Sequence, residues 1–248
     1  MQQVMIVTGG SRGIGAATAL LAAQRGYAVC VNYHSNQMAA EKVVADIVNN
    51  GGKAIAVAAD VSSEADVVRL FKTVDDKLGR LDALVNNAGI LEQQTRLENL
   101  DAGRLNRIFA TNVTGSFLCA REAVLRMSTK HGGSGGAIVN VSSAASRLGS
   151  PGEYVDYAAS KGAIDTMTLG LAKEVAEEGI RVNAVRPGII YTDMHASGGE
   201  PNRVERVKSS VPMKRGGHPQ EVALAILWLL SAESSFTTGA IVDIAGGR

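Results

Sequence analysis

The stretch "VTGGSRGIG", residues Val7–Gly15, decides the fold. A β-branched apolar run, Val4–Val7, leads into it and a helical pattern, Gly13–Arg25, leads out, so it joins a strand to a helix. Its glycines, Gly9, Gly13 and Gly15, are spaced GxxxGxG rather than the commoner GxGxxG. The physics of the two spacings is shared. Glycine lets the backbone approach a pyrophosphate, and the helix N-terminus supplies N–H donors and positive potential. A glycine-rich turn alone can be purely structural, but its place directly after the first strand favours a dinucleotide.

The same alternation continues along the chain. Strands are predicted near Val4–Val7, Ala28–Asn32, Ala54–Ala58, Ala83–Asn86, Ala137–Val141, Arg181–Val185 and Ala240–Asp243. Helices are predicted at Gly13–Arg25, Gln37–Asn49, Glu64–Leu78, Leu100–Lys130, Tyr154–Glu178 and Pro219–Leu230. Gly26 stands where a helix-ending C′ glycine would, and Ser63 with Asp66 resembles a loose capping box. Nearly continuous apolar strands between amphipathic helices predict an α/β fold with a doubly wound parallel sheet of seven strands. One domain, 1–248, is expected, because "HGGSGG" (His131–Gly136) is too short to separate two. The longest irregular piece, Gly188–Gly217, reads as a lid or a disordered segment, and a substrate lid is expected.

The chain has 248 residues, 46% hydrophobic and 20% charged, with a formal net charge of +1. That is enough apolar material for one large core, and the near-neutral balance gives no electrostatic basis for binding nucleic acid or an anionic membrane. No apolar run approaches the ~20 residues of a membrane span; "AILWLL" (Ala225–Leu230) has the length of a core helix. The N-terminal "MQQVMIVTGG" lacks a basic n-region and passes straight into a strand. Cys30 and Cys119 have no metal-ligand spacing and read as buried thiols of a reducing compartment. The expectation is a cytoplasmic protein without a metal.

In such sheets ligands bind beyond the carboxyl ends of the strands, and four features fall there. The first is the glycine turn itself. At the end of strand two, where an NAD enzyme usually carries an acid for the ribose 2′-hydroxyl, stand Asn32, Tyr33, His34 and Ser35. Arg12 in the glycine turn can meet a 2′-phosphate instead, so NADP(H) is preferred and NAD(H) remains possible. After strand four comes "NNAG" (Asn86–Gly89), and Asp60 ends strand three, where it can bond an adenine amino group. Each of these can equally be a turn residue.

The fourth is "GEYVDYAASKGA" (Gly152–Ala163), preceded by "IVNVSS". Tyr157 and Lys161 are i and i+4 and share a helix face, whereas Tyr154 has no lysine at its own i+4. An ammonium ~4 Å from a phenolate is worth at most ~4 kcal/mol at an effective dielectric of ~20. That upper bound is ~3 pKa units, enough to bring a tyrosine near neutrality. Such a tyrosine can serve as general acid–base between an alcohol and a carbonyl, with Ser142 or Ser143 bonding the substrate oxygen.

Taken together and in this order, "TGGSRGIG", "NNAG", "TNVTG", "IVNVSS", "YAASK", "RPGIIYT" and "GAIVDIAGG" resemble the short-chain dehydrogenase/reductase family in its compact branch. The resemblance covers the whole chain, near the glucose-dehydrogenase-like and oxoacyl-reductase-like members. It implies a Rossmann-type sheet and NAD(P)-dependent hydride transfer between a ketone or aldehyde and a secondary alcohol. Carried over by motif, it makes Tyr157 the acid–base and Lys161 the residue that lowers its pKa and binds the nicotinamide ribose. Ser143 is then the substrate-oxygen serine, and Asn112 the residue that holds a proton-relay water. Gly9, Arg12, Gly13, Ile14, Asp60, Val61, Asn87 and Gly89 match the cofactor cradle, with Ser11 and Ala88 beside them. Pro187, Gly188, Ile189 and Thr192 match the segment that holds the carboxamide. Family members are usually homotetramers, built on the Leu100–Lys130 and Tyr154–Glu178 helices and the last strand.

The substrate pocket is expected between Leu91, Gln93 and Gln94, Glu153 and Tyr154, and the lid residues Tyr191, Met194 and His195. Their polarity hints at a sugar or short polar carbonyl, while Lys130 and Lys173 could equally meet an acidic carrier protein. A contrasting reading is a non-catalytic dinucleotide-sensing regulator with the same fold. The complete Asn–Ser–Tyr–Lys set argues against it.

Overall fold

The glycine turn sits at the centre of a seven-stranded sheet in the computed structural model, which describes residues 2–248. The first half alternates β1 (Val4–Val7), α1 (Gly13–Gln24), β2 (Ala28–Tyr33), α2 (Gln37–Asn49) and β3 (Lys53–Ala58). It continues through α3 (Glu64–Lys77) into β4 (Leu81–Asn86), then α4 (Ala102–Phe109) and α5 (Gly115–Met127). The second half runs β5 (Gly136–Val141), α6 (Ala145–Leu148), α7 (Val155–Val175) and β6 (Ile180–Pro187). Two short helices, α8 (Met194–Ser197) and α9 (Arg203–Val207), precede α10 (Pro219–Leu230) and β7 (Ile241–Ile244).

All neighbouring strands pair in parallel, in the order β3-β2-β1-β4-β5-β6-β7. The winding reverses between β1 and β4, and that switch point opens a crevice at the carboxyl edge. Period-two burial builds both layers from the same strands. Met5 and Val7 of β1 face a core containing Ala19, Val29 and Ile226, while Val4 and Ile6 face one containing Phe71, Leu84 and Val182. Each fully buried side chain of this size contributes about 1.5–3 kcal/mol, so both faces of the sheet must be covered.

Local signals place several ends. Gly26 is left-handed at φ +88°, and the Ser63 side chain accepts from the Asp66 N–H. The box is only half made, because the Asp66 carboxylate turns to the Asp60 N–H instead.

The expected single helix over Leu100–Lys130 is broken. Asp101 caps α4, a π-helical turn spans Ala110–Thr114, and α5 follows. The turn lets Asn112 point inward while Gly115 backs onto Val61, where a Cβ would lie 2.8 Å from Val61 Cγ2. Hydrophobic patterning is indifferent to one widened turn, so the break is invisible in composition. The Gly188–Gly217 segment is ordered, carrying α8 and α9 and returning to the sheet side by an Ile190–Gly217 bridge.

A buried pair fixes α7 against α4. Arg104 donates through Nε to Asp156 Oδ2 at 2.6 Å and through Nη2 to Oδ1 at 3.3 Å, and its Nη1 holds the Gln93 carbonyl at 2.6 Å. Removing one partner strands a buried charge, so Asp156→Ala should cost about 3–5 kcal/mol. Thermal denaturation should show a melting temperature lower by roughly 6–20 °C for a chain of this size. The joint change Arg104→Met with Asp156→Leu should recover most of it.

Candidate active site

The glycine turn is held in shape from both sides. Thr8 Oγ1 donates to the Val85 carbonyl at 3.2 Å and accepts from the Asn87 and Ala88 N–H groups at 2.9 and 3.0 Å. Asn87 Nδ2 donates back to the carbonyls of Thr8 and Gly9 at 2.9 and 3.0 Å. Asn32, buried at the end of β2, accepts from the Gly9 N–H at 3.2 Å and donates to the carbonyls of Val57 and Ala59. Both asparagine side chains, expected as cofactor contacts, therefore brace the turn, and Asn87 also lines the cavity described below.

At Gly9 and Gly15 the turn leaves no room for a side chain. Gly9 and Gly13 are left-handed at φ +59° and +54°, and a Cβ on Gly15 would lie 2.4 Å from the Gly9 carbonyl oxygen. A backbone this bare at a helix N-terminus fits the pyrophosphate of a dinucleotide. Arg12 occupies the N-cap position of α1 and is exposed. Ile14, Pro187, Gly188, Ile189 and Thr192 line the adjoining cavity. At the far edge His34 Nε2 lies 3.8 Å from Asp60 Oδ2, while Asp60 Oδ1 accepts from Ser62. Val61 packs its side chain under Gly115, which leaves only its backbone available.

Both serines border the cavity, but their side chains are engaged differently. Ser142 is buried and donates to the Lys161 carbonyl at 3.1 Å, tying β5 to α7. Ser143 lines the cavity beside Tyr157, and its Oγ accepts from the Ala145 N–H at 3.1 Å. Lys161 is enclosed beneath, its Nζ 2.8 Å from the Val141 carbonyl and 5.6 Å from the centre of the Tyr157 ring. Gly89 lies alongside, where a Cβ would make ordinary contacts at 3.6 Å from Nζ and 3.4 Å from Asn112 Oδ1. Asn112 bonds both backbone groups of Ile90 and the Ser160 hydroxyl, so its side chain locks the π turn to α7.

One expectation is corrected here. In the protein alone burial pushes Tyr157 up to about 12, with the neighbouring Ser143 hydroxyl as the lowering influence. Lys161 directs its ammonium at Val141, and burial lowers the lysine to about 8 against a raising field from Asp165. Desolvation of the phenolate outweighs the through-space attraction counted from sequence. At pH 7 the phenol is neutral and the lysine mostly charged.

Together these groups border a cavity of about 500 Å³. Glu153, Tyr154, Met194 and His195 line it as expected, and so does Leu91. Gln93, Gln94 and Tyr191 do not. Gln94 Nε2 donates to Glu200 at 2.6 Å, and Gln93 packs beside Gly199. Tyr191 faces outward, stacked on His218 at 5.3 Å and bonded to Glu205 at 3.0 Å. Side-chain direction along the lid depends on its path, which sequence spacing does not encode.

Arg203 is the main residue that sequence reasoning missed as a cavity wall. It sits over the Tyr154 ring at 5.1 Å and pairs with Glu153 and with Glu200, at 3.2 Å for the latter. Arg206 joins the same two carboxylates, at 3.1 Å from Glu153. These pairs hold Glu153 below the usual carboxylate range and bring Glu200 to about 2. Tyr154 adds a bond from its hydroxyl to the Gly198 carbonyl at 3.1 Å. The available signal was the Glu200–Arg203 i,i+3 spacing within a basic cluster. Lys130, considered for carrier recognition, is bound to Glu178 at 2.6 Å.

The fold and this constellation define a dinucleotide-binding α/β oxidoreductase. Residues 9–248 match the family described as Enoyl-(Acyl carrier protein) reductase. An uncharacterized oxidoreductase of Escherichia coli, YgfF, is 65% identical over 245 residues, 99% of each chain. A 3-oxoacyl-[acyl-carrier-protein] reductase of Synechocystis is 42% identical, over 99% of this chain and 96% of its own. Glucose 1-dehydrogenase 2 of Bacillus subtilis is 38% identical, over 98% and 93%. A crystal structure of a dehydrogenase/reductase from Sinorhizobium meliloti superposes with a TM-score of 0.91 at 33% identity, covering 99% and 94%. The chain belongs to the short-chain dehydrogenase/reductase family. Among the described residues no helix is long and apolar enough to cross a membrane.

The corrected ionisation makes a spectroscopic prediction. The ultraviolet difference between parent and Tyr157→Phe should show no tyrosinate below about pH 11, because Tyr157 sits near 12. Ser143→Ala removes a hydroxyl whose influence favours the phenolate, so the Tyr157 ionisation should move higher still.

Proposed function

We propose that the protein is an NADP-preferring oxidoreductase that interconverts a ketone or aldehyde with an alcohol, with Tyr157 as general acid–base. The observation that carries this reading is Ser143 and Tyr157 meeting on the wall of one cavity, over a buried Lys161 and continuous with the glycine turn. A bound nicotinamide dinucleotide supplies the hydride in reduction and, when oxidised, a positive charge beside the phenol. Ser143 holds the carbonyl oxygen of the substrate. Tyr157 gives its phenolic proton to that oxygen as the alcohol forms, and takes it back in the reverse direction. A neutral phenol at rest is ready for the reductive direction. Lys161 stabilises the phenolate left behind, and Asn112 keeps α7 and the Ile90 loop in register around it.

The NADP preference rests on the absence of a carboxylate from Asn32 to Ser35 and on the exposed Arg12 at the turn. Curated relatives carry two different substrate names, an acyl-carrier thioester and glucose, so they support the reaction class and not one substrate. We read the protein as a cytoplasmic homotetramer; the half-exposed Phe109, Phe117 and Leu125 on α4 and α5, and Leu224 and Trp228 on α10, support association.

Tyr157→Phe should lower turnover by about 10²–10⁴ while dinucleotide binding, followed by fluorescence, persists. NADPH should be used with a higher kcat/KM than NADH. Equal turnover by Tyr157→Phe and the parent would overturn the mechanism, and a preference for NADH the cofactor assignment.

A further inference from the structure

His195, on α8 of the lid, lines the same cavity as Ser143 and Tyr157. Its Nε2 lies 2.9 Å from the Ile190 carbonyl oxygen. A carbonyl can only accept, so Nε2 carries the hydrogen. Burial lowers the ring's pKa, with Arg203 contributing in the same direction, so the ring is neutral and Nδ1 is a bare acceptor. That atom is buried and has no hydrogen-bond partner. The other such side-chain atoms among the described residues, Asn86 Oδ1 and Asp165 Oδ1, belong to residues that do not line the cavity. A buried acceptor without a donor is unfavourable, and because His195 borders the cavity, a ligand that displaces the cover over Nδ1 can supply one.

We propose that His195 reads a hydroxyl group of the substrate: Nδ1 accepts a hydrogen bond from a hydroxyl carried beyond the reacting carbonyl, selecting neutral hydroxylated carbonyl compounds over their deoxy counterparts. This deepens the oxidoreductase reading and rests on it. The charges around His195 are already paired with one another. Arg203 and Arg206 are matched by Glu153 and Glu200, so an anionic substrate finds no free cation in the quartet and meets two carboxylates. An ammonium donor would stand beside Arg203. A neutral hydroxyl donates to Nδ1 without disturbing these pairs. A substrate lacking it leaves Nδ1 unpaired, and discrimination of that kind is strong because the loss is the enzyme's own.

The test uses the full chain with NADPH and a ladder of ketones: butan-2-one, 4-hydroxybutan-2-one, 1-hydroxybutan-2-one and erythrulose. The parent should favour the best hydroxylated member over butan-2-one by about tenfold or more in kcat/KM. His195→Leu should cut that ratio at least about fivefold, and His195→Asn, whose Oδ1 can stand in for Nδ1, should keep more of it than His195→Leu does. A binding readout runs beside it. With ring-¹⁵N histidine and NADP⁺ present, erythritol should shift the His195 Nδ1 resonance upfield and butan-2-ol should not. The shift in a protein that reduces no ketone would uphold the hydroxyl contact and sink the reaction assignment. Ketone reduction with an unchanged ratio in His195→Leu, or no Nδ1 shift with erythritol, would overturn the proposal while leaving the reaction standing.

Discussion

Four hydrogen bonds join Thr8 and Gly9 at the end of β1 to Asn87 and Ala88 after β4. They act where the sheet's winding reverses and neighbouring loops must part in opposite directions. Without them the carboxyl edge would be an open gap with unpaired backbone groups, a costly state for a half-buried loop. With them the glycine turn is fixed before any ligand arrives. Asn32 adds a brace from β2, so three adjacent strands determine the turn's shape. Gly15 is forced by the same closure, because Gly9 and Asn87 occupy the space a side chain would need. Preorganisation of this kind keeps the cost of ordering the loop out of the binding step.

The same crevice sets the electrostatics of the reacting groups. Lys161 and Tyr157 are neighbours on α7, but they are enclosed rather than merely adjacent. Burial presses both toward neutrality, lowering the lysine to about 8 and raising the tyrosine to about 12. The free site is therefore a resting acid with a cation held in reserve against the Val141 carbonyl. A charge arriving beside the phenol would act at low dielectric, where its influence is largest. Sensitivity to what binds is the consequence of burial, and it would be lost on a solvated helix face.

Legibility in the sequence followed the range of the forces involved. The sheet was readable because strand and helix periodicities are local, and β1, α2 and α10 fall at their predicted limits. Tyr157 could be told from Tyr154 by one helical turn. The π turn was not readable, since widening a helix changes neither composition nor burial pattern. Asn32 and Asn87 stand at strand ends as expected, yet their partners are backbone N–H and carbonyl groups that no side-chain pattern reveals. Arg203 and Glu153 meet across 50 residues. Gln93, Gln94 and Tyr191 turned elsewhere because the lid's route, anchored by that quartet, decides which faces look inward. The tyrosine's acidity was misjudged for a related reason: a pairwise attraction can be counted from spacing, whereas desolvation depends on everything packed around it.

The central claim is that this braced crevice performs chemistry and does not merely sense a dinucleotide. The most direct measurement is a single-turnover reaction with NADPH deuterated at both C4 positions and a panel of ketones and aldehydes, read by mass spectrometry. The account predicts one deuterium on the carbinol carbon of the product with the parent protein, delivered about 10²–10⁴ times more slowly with Tyr157→Phe. Tight NADPH binding with no deuterium delivered to any carbonyl would contradict it.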